Sequence, residues 1–97
     1  MQLQFVGRNI DLTPSIKSIT EEKFNLLNKH FNNINQVNVV FHVENNTHIV
    51  EATLHFDGKE IHASAKQEDM YKAIDLLLAR LLGQMTRHKE KITEGQY

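Results

Sequence analysis

From Glu68 to Lys91 the chain reads EDMYKAIDLLLARLLGQMTRHKEK, with no proline and one glycine. Tyr71, Ile74, Leu77, Leu78, Leu81, Leu82 and Met85 recur at three- and four-residue spacing, the apolar stripe of an amphipathic helix. Such a helix draws most of its stability from covering that stripe, so the rest of the chain must supply a surface for it. Lys72, Arg80, Arg87 and Lys91 fall within about a third of the circumference on the opposite side, at roughly 100° per residue. One face therefore closes a core and the other offers a cationic row to solvent.

The surface is written upstream as alternation. Leu3 and Phe5 alternate with glutamines in a short strand ended by Gly7. Val37, Val39, Phe41 and Val43 share one face of a strand over 36–44, and Val50, Ala52, Leu54 and Phe56 continue the pattern. Ile61, Ala63 and Ala65 supply a fourth strand. Asn45-Asn46 and Asp57-Gly58 are two-residue hairpin signals, because these residues tolerate positive φ. Between the first two strands, Thr13-Pro14 marks a helix start and Asn32-Asn33 its exit, with Ile16, Ile19, Phe24, Leu27 and Phe31 inward. The order β-α-β-β-β-α predicts an α/β two-layer sandwich (α+β): a four-stranded mixed sheet, both helices on one face and the other face wet.

At 97 residues the chain fits one domain, 1–97, with an ordered core to about residue 91 and a short tail over 92–97. No apolar run is long enough for a transmembrane helix, and MQLQFVGRNID lacks the features of a signal peptide, so a cytoplasmic protein is expected. The absence of cysteine rules out disulfides and thiolate metal sites. A formal net charge of −1 argues against a polyanionic partner until its distribution is considered. Residues 36–65 carry Glu44, Glu51, Asp57 and Glu60 against Lys59, a net of −3. Residues 77–91 carry Arg80, Arg87, Lys89 and Lys91 against Glu90, a net of +3. This segregation gives the chain a basic end that suits a phosphate backbone.

Each candidate site also has an ordinary reading. The cationic row is either a phosphate-binding track or a solvated face favoured by the helix dipole. Lys23 sits within the apolar arc of the first helix, so it either snorkels or places its ammonium between the helices. Asp75 reads as a boundary residue paired with Lys72 or Lys23 rather than as an acid–base group. His42, His55 and His62 share the wet sheet face, where three histidines can hold zinc, but their spacing matches no metal motif. With no glycine-rich phosphate loop, G-x-S-x-G or H-E-x-x-H, the reading is of a non-enzymatic protein without cofactor or metal.

The segments LQFVGRNIDLTPSIKSITEEKF, INQVNVVFHVE and THIVEATLHFDGKEIHASAKQEDMYKAIDLLLARLLGQMTRHKEK resemble, in combination, the short form of the bacterial ribosome hibernation factors. These belong with the ribosome-associated inhibitors and sigma modulation proteins. The resemblance implies a fold like double-stranded-RNA-binding domains and binding to the small ribosomal subunit and its rRNA, in the channel for messenger and transfer RNA. It also implies association with the intact ribosome, a block of translation in stationary phase, and dimerisation of ribosomes together with a separate modulation factor. The positions it assigns to rRNA are Lys23, Lys29, Lys72, Arg80, Arg87, Lys89 and Lys91. The end, KITEGQY, departs from the family in being less basic. Two other functions fit the pattern: a generic double-stranded RNA module, or a protein–protein module using Val40 and Ile49 as exposed apolar residues of the wet sheet face.

Overall fold

The computed structural model describes residues 1–94, with side chains as far as Lys89. The order is β1 (Leu3–Arg8), α1 (Pro14–Phe31), β2 (Ile34–Glu44), β3 (Thr47–Phe56), β4 (Lys59–Gln67) and α2 (Met70–Glu94). The strands lie in the order β1-β2-β3-β4, with β1 parallel to β2 and the two hairpins antiparallel. The expected fold class is the observed one. The last helix runs to Glu94, into the stretch expected to be a tail, while 95–97 lie outside the described residues.

Local chemistry sets the element ends. Thr13 Oγ1 accepts from the Ile16 N–H at 3.2 Å, with Pro14 at the first helical position. Asn32 and Asn33 both take positive φ at the exit of α1. Asn45 (φ 47°) with Asn46 (φ 65°), and Asp57 (φ 52°) with Gly58 (φ 73°), make two hairpins whose central residues both have positive φ, as the favoured two-residue turns require. Asp69 Oδ1 accepts from the Tyr71 N–H at 3.0 Å and opens α2.

Both helices cover one sheet face. Val37, Val39, Phe41, Val50, Leu54 and Phe56 are buried against Phe24, Leu27 and Phe31 of α1 and Ile74, Leu77, Leu81 and Met85 of α2. Full burial of each large apolar side chain is worth about 1.5–3 kcal/mol. Ala52, Ala63 and Ala65 form the floor beneath α2, and their small side chains let the helix settle close to β3 and β4. Thr20, buried in α1, returns its hydroxyl to the Ile16 carbonyl at 2.7 Å.

Several expectations are corrected. Tyr71 and Leu82 are 40% and 43% exposed. The true stripe of α2 is Met70, Ala73, Ile74, Leu77, Leu81 and Met85, because the helix presses that side on the sheet and turns Leu78 and Leu82 toward α1. Ile49 is buried and Val40 only half-exposed, although both point away from the helices. Ile49 lies on an interior strand, between His42 and Lys66 in register, and these longer side chains screen it. His42 stands opposite Ile49 and His62 opposite Thr53, four residues along β3 or about 13 Å. His55, opposite Glu60, is a diagonal neighbour of His62, but His42 lies too far along the sheet to join them, and among the described residues no cluster fit for a metal ion occurs.

Gly7, expected to end the first strand, lies inside β1 in register with Phe41 and packs against the loop before α1. A Cβ there would lie 2.7 Å from the Ile10 carbonyl oxygen and 3.1 Å from Leu12 Cγ. Gly7→Ala is expected to destabilise the fold by about 1–3 kcal/mol, seen as a lower urea midpoint at unchanged slope.

Candidate nucleic-acid interface

The cations expected to meet RNA fall into three settings. On α1, Lys29 is exposed near the helix end. Lys23 is half-buried and its ammonium pairs with Asp75 Oδ1 at 2.5 Å, so it ties α1 to α2. Asp75 thus has the role of boundary partner, with Lys23 as its cation. Beside this pair runs a groove of about 410 Å³ lined by Leu26, Leu27, His30, Leu78 and Leu82.

At the start of α2, Lys72 is fully exposed and bonds Glu68 at 3.0 Å, one helical turn away. That hydrogen bond, aided by the charges of Glu68 and Asp69, raises the lysine pKa above its ordinary value and keeps the group cationic.

The third setting is the far side of α2, along the free edge of β4. Arg80 and Arg87 are both exposed here. The Arg80 Nη1 donates to the Ser64 carbonyl at 2.6 Å, and one turn later Gln84 Nε2 donates to the His62 carbonyl at 2.9 Å. Between helix and strand lies a cleft of about 440 Å³ lined by Arg80, Gln84, Arg87, His62 and Ser64 over a floor that includes Gly83. The Thr53 hydroxyl holds His62 Nδ1 at 2.9 Å on the sheet side. Arg80 is thus fixed by one end of its fork while its remaining donors stay available, and an oriented guanidinium suits phosphate oxygens. Lys89 is exposed further along α2, and the Lys91 side chain lies outside the described residues.

The structure therefore gathers Arg80 and Arg87 on one cleft, leaves Lys72 and Lys89 exposed on the same helix, and sets Lys23 and Lys29 on the other helix. Sequence reasoning missed Ser64 and Gln84, and weighed His62 only as a histidine of the wet sheet face. Gln84 lies four residues after Arg80 and three before Arg87, which marks it as a neighbour on that face. Nothing local pointed to the two carbonyls.

The chain matches the family described as sigma 54 modulation protein / S30EA ribosomal protein over residues 3–93. It is 49% identical to a ribosome hibernation promoting factor of Salmonella typhimurium and 47% identical to one of Escherichia coli. Each alignment covers 97% of this chain and 99% of the relative. Among solved structures, a ribosomal subunit interface protein from Coxiella burnetii superposes with a TM-score of 0.88 at 31% identity, covering 93% of this chain and 99% of the other. The N-terminal domain of Thermus thermophilus Protein Y shares the fold, with a TM-score of 0.79 at 24% identity over 88% of this chain and 94% of that one. On the match across residues 3–93 and these nearly full-length relatives, the chain belongs to the sigma 54 modulation / S30EA ribosomal protein family.

Proposed function

We propose that this chain is a ribosome hibernation factor. It docks by its helical side on the small ribosomal subunit, in the channel that messenger and transfer RNA use, and so blocks translation in stationary phase. It acts in the cytoplasm by steric exclusion rather than catalysis, and promotes ribosome dimers together with a separate modulation factor. Its rRNA contacts are Lys23, Lys29, Lys72, Arg80, Arg87, Lys89 and Lys91, with Lys23 acting partly through its bond to Asp75. The observation that carries this reading is family membership, joined to the exposed arginines of α2 beside the β4 edge.

Phosphate binding releases counterions, so affinity must fall as salt rises. Purified protein sedimented with isolated subunits and intact ribosomes should pellet with the small subunit and the ribosome at low salt and leave them at high salt. Absence of pelleting at low salt refutes the reading. A protein–protein role for the outer sheet face loses support from the burial of Ile49, which removes one of the two apolar residues it needed.

A further inference from the structure

The backbone of the β4 edge carries information that its side chains do not. In the β3–β4 hairpin Phe56 pairs with Lys59 across the two-residue turn, and the alternation of an antiparallel ladder follows from that pair. Lys59, Ile61, Ala63, Ala65 and Gln67 direct their backbone groups toward β3, while Glu60, His62, Ser64 and Lys66 direct theirs outward. Among the described residues no strand pairs with β4 on that side. The two bonds from α2 agree with this alternation, since the carbonyls they reach are those of His62 and Ser64.

These bonds treat the edge unequally. Beside α2, Arg80 and Gln84 occupy the carbonyls of Ser64 and His62, whereas the N–H groups of the same two residues point outward as donors; the outward carbonyls of Glu60 and Lys66 flank this stretch. A free strand edge normally presents donors and acceptors alternately, which is what a partner strand requires. At His62 and Ser64 the acceptors are engaged and the donors remain, beside two guanidinium groups and a cleft of about 440 Å³. An edge of that kind disfavours strand addition and matches a group that only accepts hydrogen bonds and carries negative charge. A phosphodiester is such a group.

We infer that the cleft between β4 and α2 is a phosphodiester site in which the backbone N–H groups of His62 and Ser64 act with Arg80 and Arg87. The inference rests on the ribosome-binding reading and names the part of the fold that holds the RNA backbone. Arg80 serves twice: one N–H occupies the Ser64 carbonyl, and the rest of the fork faces the phosphate. Gln84 is a positioning residue that removes the His62 carbonyl from the site.

Proline at position 64 tests the backbone donor, because an edge strand tolerates proline where the N–H points outward and no ladder bond is lost. Ser64→Pro is expected to bind the small subunit about tenfold more weakly, the effect of one hydrogen bond to a charged group. Its salt dependence should match that of the parent, since no cation has been removed. Gln84→Glu, on the helix and not in the strand, puts a carboxylate in the cleft and should weaken binding by about tenfold or more. It decides the matter if circular dichroism shows Ser64→Pro unfolded. Parent-like pelleting of the folded variants overturns the cleft assignment while leaving the ribosome reading intact. Failure of the unmodified chain to pellet overturns both.

Discussion

Replacing Arg80 and Arg87 together by glutamate is expected to abolish pelleting with the small subunit. Two charge-assisted phosphate contacts are lost and two repulsive charges take their place, so the fall in affinity should be on the order of a hundredfold or more. Both side chains are exposed, and only one has a structural duty: Arg80 loses its bond to the Ser64 carbonyl. That loss costs at most about 1.5–3 kcal/mol, the range for a bond to a charged group, against roughly 5–15 kcal/mol of stability for a folded domain. The double variant should therefore keep the circular dichroism of the parent. Residual binding should also show a salt slope shallower by about 1.4 to 1.8, the contribution of two phosphate contacts. Parent-like affinity in the folded double variant would remove both arginines from the interface.

The largest expected loss of stability is at Phe56. Its ring is fully buried and meets Phe31 edge-on with centroids 5.3 Å apart and His88 with centroids 5.7 Å apart. It thus joins the end of α1, the end of β3 and the late turns of α2. Phe56→Ala removes the ring and leaves a cavity that three elements must relax into, at a cost of about 3–5 kcal/mol. Urea unfolding should show the midpoint falling by a large fraction of its value. A loss below about 1 kcal/mol would mean that α2 collapses onto the gap.

The two predictions draw on parts of the molecule that were unequally readable. Phe56 as a core residue follows from alternation with Val50, Ala52 and Leu54, and each of these is buried. Arg80 as an exposed cation follows from its helical position. Its bond to Ser64 does not, since the partners are sixteen residues apart and meet only once α2 lies against β4.

The start of β2 was unreadable for another reason. Ile34 and Val37 are both buried although they differ by an odd number of positions. A one-residue bulge, with Gln36 at φ 36° and a register shift between Asn35 and Val37, turns both toward the core. Alternation fails at a bulge because the extra residue inverts every side chain before it.

By itself the sequence determined the element order, the caps at Thr13 and Asn32, the two hairpin turns and most of the core. These depend on φ preference, capping and periodicity, and such terms act over a few residues. Tertiary structure decided which arc of α2 meets the sheet, leaving Leu82 exposed, and how neighbouring strands screen Ile49. It also decided that Arg80 and Gln84 reach the carbonyls of Ser64 and His62 across the cleft between α2 and β4. Those outcomes depend on contacts between distant segments, whose geometry exists only after the layers have packed.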